Sequence, residues 1–471
     1  MTKLALIVLA TTFAVTLGGP VSAQALRPDQ LAFRALYKEL VETNTTLSAG
    51  SCTLAAARMA AHLRTAGFPE QDLTLFSVPE HPKDGGLVAV LPGSDRHAKA
   101  ILLLAHLDVV EAKRADWARD PFVLVEEGGY FYGRGTTDDK SQAAIWTDSM
   151  ARFKVSGYRP RRTIKLALTC GEESDGAFNG AEYLTEHRRA LIDAGFALNE
   201  GGGGRLDAAG KPIALALQVG EKVYQDYTIE VTSPGGHSSQ PVPDNAIYRL
   251  AAALGRVATY EFPVQFNDTT RAYFTRLAAI QHGASGAEMT ALLANPRDAK
   301  ADAAVSSDKQ NHSLLRTTCV ATRVDAGHAN NALPQRATAI VNCRIFPGEP
   351  VAAVTATLER VIADPQVKVE PFAMPHTRNP PVPLDPKVFG PAERLAAKVF
   401  PGVPMLPFMD TGASDAVWTN PAGIPTYGVP GLFDDADLGN IHGLNERIRV
   451  KALYDGRDYL FALVKLYADA E

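Results

Sequence analysis

Two short stretches hold most of the residues that could do chemistry. The first, ILLLAHLDVV, is an apolar run from Ile101 that closes on His106 and Asp108. The second, YGRGTTDDKS, is a glycine-marked turn that closes on Asp138, Asp139 and Lys140. Glu172 and Glu173 follow another apolar run, Ile164 to Thr169, while Glu200 precedes four consecutive glycines and His442 sits in NIHGLNE. Imidazoles and carboxylates at the ends of core segments are expensive to bury unless they are paired or bound to metal. In an α/β sheet such strand ends are also where ligands bind.

Taken together, His106, Asp138, Glu173, Glu200 and His442 offer nitrogen and oxygen donors for two divalent cations. Asp138 would bridge the pair, since close cations need a shared carboxylate to offset their repulsion. Zn²⁺ suits this mixture of ligands best, with Co²⁺ or Mn²⁺ as substitutes. Asp108, two residues from His106 along a strand, shares its face and can fix the imidazole tautomer. Glu172, beside the ligand Glu173, remains free to act as general base on a water. Singly, each motif has an ordinary reading: acidic residues favour a helix N-terminus, and a Glu pair often marks a solvent-facing turn. Cys170 has no local feature of a nucleophile and reads as a packed residue.

The elements that must position these groups fill a chain of 471 residues, enough for two domains. With 46% apolar and 21% charged residues, the composition excludes a disordered chain. A net charge of -5 and the lack of any Lys/Arg run exclude a nucleic-acid footprint. Met1 to Ala25 reads as a secretory signal, with Lys3, an apolar stretch from Leu4 to Leu17, and Ala23-Gln24-Ala25 for cleavage. The expected location is periplasmic or secreted, with no stable membrane span once the signal is removed. Four scattered cysteines form no disulfide scaffold, although Cys319 and Cys343 lie in β-like runs and can pair if those strands are neighbours.

Residues 26–221 and 372–471 read as two parts of one α/β catalytic domain with a mixed sheet. Residues 222–371 between them follow the order β-α-β-β-α-β, which predicts an inserted ferredoxin-like α+β lid domain. Within the lid, Pro263 to Asp308 is helical in patches and reads as a decoration of the lid surface.

The combination of H-x-D after an apolar strand, G-R-G-x-x-D-D-K, the Glu pair, N-E-G-G and a late histidine resembles the M20 metallopeptidase family. SPGGHSSQP at Ser233 to Pro241 and NCRIFPG at Asn342 to Gly348 are similar to that family's lid motifs. The resemblance implies a di-metal exopeptidase, with His106 and Glu200 on one metal, Glu173 and His442 on the other, and Asp138 between. It implies that Asp108 orients His106, that Glu172 is the catalytic base and later proton donor, and that His237 polarises the scissile carbonyl. It also assigns Arg344 to the substrate carboxylate, with Asn331, Gly412 and Ser414 on the substrate side, and homodimer formation through the lid. The implied activity is that of a carboxypeptidase or dipeptidase cutting a small peptide beside its free carboxylate. Glu rather than Asp at position 200 keeps an aminoacylase-like reading, with an N-acyl amino acid substrate, as the alternative. A non-catalytic metal-binding scaffold is the remote reading, since binding alone needs no spare base at Glu172.

Overall fold

The computed structural model describes residues 26–174, 178–373 and 382–470, so the predicted signal at 1–25 lies outside the described residues. A ten-stranded mixed sheet carries the larger domain. At its centre the parallel strands Ile164–Thr169, Ile101–His106 and Phe196–Asn199 lie side by side. Every residue from Ile101 to His106 is buried, as the unbroken apolar run predicts for a strand covered on both faces. The helix Lys140–Val155 covers one face with Ala143, Ala144, Ile145, Trp146 and Met150, and the Trp146 indole N–H donates to the Leu104 carbonyl at 3.1 Å. Because these three strands are parallel and in register, their carboxyl ends open on the same edge of the sheet. His106, Glu172–Glu173 and Glu200 all emerge there.

Alternation in the sequence does not reveal the strand Pro212–Glu221, which joins Gly203–Leu206, Thr426–Gly428 and Met405–Asp410 in the same sheet. Its PIALAL segment is rich in Ala and Leu, which carry little strand signal of their own. The glycine run after Glu200 serves close approach. A Cβ on Gly202 would lie 2.3 Å from the Val429 carbonyl oxygen, and one on Gly204 would lie 2.3 Å from the Phe433 ring.

The second sheet has four antiparallel strands in the order Thr318–Ala326, Arg336–Ile345, Val223–Thr232, Val367–Pro371. Helices Ala246–Thr259 and Val351–Ile362 pack on one face through Leu250, Ala253, Val354 and Leu358. This is the ferredoxin-like arrangement. The outer strand Thr318–Ala326 is exposed along most of its length, with Val320 and Val324 open to solvent.

The helical segment after Pro263 does not merely decorate the lid. Its helices Asp268–Ile280, Ala284–Ala294, Ala299–Val305 and Lys309–Leu314 form a separate core around Phe274, Met289, Leu292 and Leu314. Phe346 from the lid and Met409 from the catalytic sheet complete that core, so the segment is wedged between the two domains. Its Arg276 reaches Glu393 of the catalytic domain and donates to the Met405 carbonyl at 3.0 Å. Apolar residues spaced for short helices decided this packing, and their partners are distant in sequence.

Two disulfides are present among the described residues. Cys319–Cys343 joins directly opposed residues of neighbouring lid strands, as their β-like runs allow. Cys52–Cys170 corrects the reading of Cys170 as a merely packed residue, because it ties the start of helix Cys52–Thr65 to the residue two before Glu172. The bond closes a separation of 118 residues. Replacing both Cys52 and Cys170 by serine should therefore cost about 2–5 kcal/mol of stability, read as a lower midpoint in urea. An unchanged midpoint would show that the bridge adds nothing to the fold.

Candidate metal centre

The sheet edge brings the five proposed metal ligands together. Asp138 lies between two histidines: its Oδ1 is 3.0 Å from His106 Nε2 and its Oδ2 is 3.1 Å from His442 Nε2. On one side, Glu200 Oε2 stands 3.6 Å from His106 Nε2. On the other, Glu173 approaches His442 Nε2 at 2.9–3.0 Å. The donor atoms of His106, Asp138 and Glu200 lie within 4.8 Å of one another, as do those of Asp138, Glu173 and His442. Two adjacent triads that share a single carboxylate are the arrangement a bridged pair of cations needs.

Charge and burial also fit such a pair. Four carboxylates, Asp138, Glu172, Glu173 and Glu200, face two imidazoles in a largely buried space. Burial pushes Glu200 up to about 7, with His106 acting against the shift. Glu172 is driven well above the usual carboxylate range by burial and by the neighbouring Glu200 charge. His442 is raised to about 10 by its hydrogen bonds to Asp138 and Glu173. For His106, burial opposes the charged ring, but Glu200, Asp108 and Asp138 together outweigh it and raise the pKa. Asp138 is held below the ordinary range by both imidazoles, against the effect of burial. Glu172, Glu173 and Glu200, which burial makes retain their protons beside two imidazoles, are acids suited to release them to divalent cations.

Asp108 supports this edge in two ways. Its main-chain carbonyl lies 3.0 Å from His106 Nδ1, with the carboxylate Oδ1 further away at 3.6 Å. Its Oδ2 accepts from the backbone N–H of Glu173 at 3.0 Å. The ring is thus oriented mainly by a peptide carbonyl, while the carboxylate fixes the loop that carries the Glu pair. Glu172 offers an oxygen within 4.8 Å of donor atoms on His106 and Glu173.

The lid residues are placed elsewhere. His237 is exposed in a two-residue ladder with Ala332–Leu333, and its Nδ1 meets the backbone N–H and hydroxyl of Ser239 at 3.1 and 2.7 Å. Asn331 adjoins it, its carbonyl accepting from Ser238 N–H at 3.0 Å. Arg344 lies 4.6 Å above the Tyr224 ring, with Nε 3.3 Å from Asn342 Oδ1. These three share the lid and make no hydrogen bond or ion pair with the five clustered residues. Gly412 donates its N–H to Asp410 Oδ1 at 2.9 Å.

Ser414 corrects the substrate-side expectation. It is buried, donates to Glu221 Oε2 at 2.9 Å, and accepts from Asn199 Nδ2 and the Ala416 N–H. A hydroxyl so engaged closes the start of the short helix Ala416–Thr419 and is not presented to a ligand.

Sequence reasoning passed over one buried carboxylate beside the centre, Glu446. It accepts from Arg134 Nη1 at 2.8 Å and from the N–H groups of Gly135, Thr137 and Asp138 at 3.0, 2.8 and 3.2 Å. Its position four residues after His442, following the G-R-G turn in space but not in sequence, gave only a faint signal.

Residues 102–466 match the Peptidase family M20/M25/M40. Human N-fatty-acyl-amino acid synthase/hydrolase PM20D1 is 28% identical over 458 residues, which cover 94% of this chain and 89% of the human one. The Xenopus tropicalis protein of the same name is 30% identical, over 77% of this chain and 71% of its own. Among solved structures, the M20 family metallo-carboxypeptidase Sso-CP2 of Sulfolobus solfataricus shares the fold with a TM-score of 0.69 at 18% identity, covering 94% of this chain and all of that one. The family match takes in His106, Asp108, Asp138, Glu172, Glu173, Glu200 and His442, and with the fold and the clustered donors it makes the chain a member of peptidase family M20/M25/M40, a metal-dependent hydrolase of peptide or amide bonds near a carboxylate.

Proposed function

We propose that the chain hydrolyses the amide bond of N-acyl amino acids, releasing a carboxylic acid and a free amino acid. The observation that carries this reading is the similarity to human PM20D1 across 94% of the chain, which includes the lid and its helical segment. A peptide carboxypeptidase is the second reading, favoured by 28% identity over 79% of the chain to the probable carboxypeptidase S-like 2 of Dictyostelium discoideum. Both share one chemistry and differ in what lies on the acyl side of the bond.

His106, Glu200, Glu173 and His442 would hold two divalent cations with Asp138 shared between them, and Zn²⁺ fits these donors best. When bound, the pair would supply Lewis acidity to a water and to the scissile carbonyl. Glu172 takes a proton from the attacking water and returns it to the leaving nitrogen, a role that suits a carboxyl whose proton affinity is raised by burial. Asp108 keeps the Glu172–Glu173 loop in place through the Glu173 N–H. Arg344 pairs with the substrate carboxylate, for which its planar fork is suited. His237 meets the developing oxyanion after lid closure, or from the lid of a second chain.

Secretion to an oxidising compartment belongs to the same proposal, and the two disulfides support it. No helix among the described residues is long and apolar enough to cross a membrane. Pairing of two chains along the open edge strand Thr318–Ala326 would cover its unpaired backbone groups. Light scattering should then give twice the mass of the mature chain, which is the 50.4 kDa of the full sequence less the signal, and a single-chain mass would remove this part of the reading.

The substrate class is tested by offering metal-loaded protein long-chain N-acyl amino acids, N-acetyl amino acids and dipeptides, with products read by mass spectrometry. The N-acyl compounds should be cleaved fastest, and a preference for dipeptides would favour the second reading. Glu172→Gln should lower kcat by about 10²–10⁴-fold with metal content unchanged. Near-parental turnover by that variant would deny Glu172 the role of base.

The buried carboxyls also predict how the metal-free protein responds to pH. Burial raises Glu200 and Asp434 to about 7 and Glu221 to about 8. The folded chain therefore keeps protons that the unfolded chain has released, and these groups make stability fall as pH rises from the ordinary carboxyl range through about 7 to about 8. The melting temperature of metal-free protein should drop across that window, and the drop should be smaller once metal replaces the proton on Glu200. An identical pH slope with and without metal would contradict the assignment of Glu200 as a ligand.

A further inference from the structure

We propose that Glu446 is the positioning residue of the metal centre: without binding metal, it sets the separation of Asp138 and His442. The inference rests on the metal-site reading above. Glu446 is wholly buried, and both of its oxygens are in use. Oε2 accepts from Arg134 Nη1 and Gly135 N–H, while Oε1 accepts from Thr137 and Asp138 N–H. Three backbone donors of the turn that ends on Asp138, the N–H groups of Gly135, Thr137 and Asp138, thus converge on one carboxylate, which has about four acceptor sites to offer.

The same carboxylate holds the loop carrying His442. Arg134, fixed by Glu446, extends Nη2 to the Gly443 carbonyl at 3.0 Å, next to His442. The main chain adds further ties: Gly133 N–H donates to the Glu446 carbonyl at 3.1 Å, and Thr137 Oγ1 donates to the Arg447 carbonyl at 3.1 Å. The guanidinium lies 5.0 Å from the Trp117 ring centroid, which fixes its plane. His442 itself sits at φ 61°, in the left-handed region, so its loop must be restrained by its surroundings to keep that conformation. Asp138 and His442 are brought to 3.1 Å by two loops more than three hundred residues apart in sequence, and the Glu446–Arg134 pair is the covered link between them.

Removing the charge leaves one oxygen for two pairs of donors, so either Thr137 and Asp138 N–H or Arg134 and Gly135 N–H face an amide NH2, and shortening the side chain draws the acceptor away from them in a buried place. The turn would then relax, and the bridging carboxylate would move away from His442. Groups that orient metal ligands typically affect metal affinity by about 10–100-fold. A residue needed only for folding would lower stability and leave affinity alone.

The test titrates Zn²⁺ into chelator-stripped full-length protein against a competing metal dye, with stoichiometry and the metal-free melting temperature read in parallel. The parent chain should bind two ions, and binding of none would sink the metal-site reading itself. Glu446→Gln, which places an amide N–H against backbone donors, should weaken Zn²⁺ binding by about 10–100-fold or reduce the stoichiometry. Glu446→Asp, which retains the charge for Arg134, should show a smaller loss in the same direction. Asp148→Asn serves as the comparison, since it breaks a buried pair with Arg457 remote from the centre and should lower stability without changing affinity. Affinities of the Glu446 variants within twofold of the parent, a loss matched by Asp148→Asn, or failure of both Glu446 variants to fold would each overturn the proposal.

Discussion

The structure depends on a shortage of positive charge at one sheet edge. Four largely buried carboxylates meet the buried His106 and the half-exposed His442, and no lysine or arginine is paired with the clustered acids among the described residues. The nearest buried lysine, Lys140, turns away to donate to the Thr43 carbonyl at 2.8 Å. Arg134 is occupied by Glu446 behind the site. Uncompensated buried charge is costly, so the edge is unfavourable as a structural feature and makes sense as a receptor for cations. The parallel central strands supply the scaffold for this arrangement, because their carboxyl ends must all open on one side.

Much of that edge is legible in the sequence because each ligand ends a strongly apolar segment. Ile101 to Ala105, Ile164 to Thr169 and Phe196 to Leu198 declare their strands by composition, and the acids and histidine after them must then come together. The late ligand His442 joins the set by residue type beside a glycine, with less local signal than the others, since its own loop has no periodicity, and the resemblance of the whole motif set gives it its metal. What fails to show is anything set by contacts between distant segments. Glu446 looks like one more loop acid until the turn at Gly133–Asp138 is placed against it. The Cys52–Cys170 bridge joins a helix start to a strand end that nothing local connects. Ser414, read as facing a ligand, turns inward because Glu221 lies beneath it, at the end of a strand whose Ala and Leu residues concealed it.

The lid shows the same division between local and distant information. Its β-α-β-β-α-β order follows from alternation and helical spacing, and the four-stranded antiparallel sheet follows from that order. The placement of His237, Asn331 and Arg344 relative to the metal ligands is a matter of how two domains meet, which no short stretch of sequence encodes.

The helical wedge between lid and sheet has a mechanical consequence. Phe346 and Met409 share one apolar cluster with Phe274, Met289 and Leu292, so swinging the lid about the chain crossing near Glu221 and Lys222 must shear that cluster or carry it along. Exposing its surface would cost about 25 cal/mol for each square ångström uncovered. The wedge therefore acts as a gusset that limits how far the mouth of the cleft can gape, and it favours a short sliding movement over a wide swing.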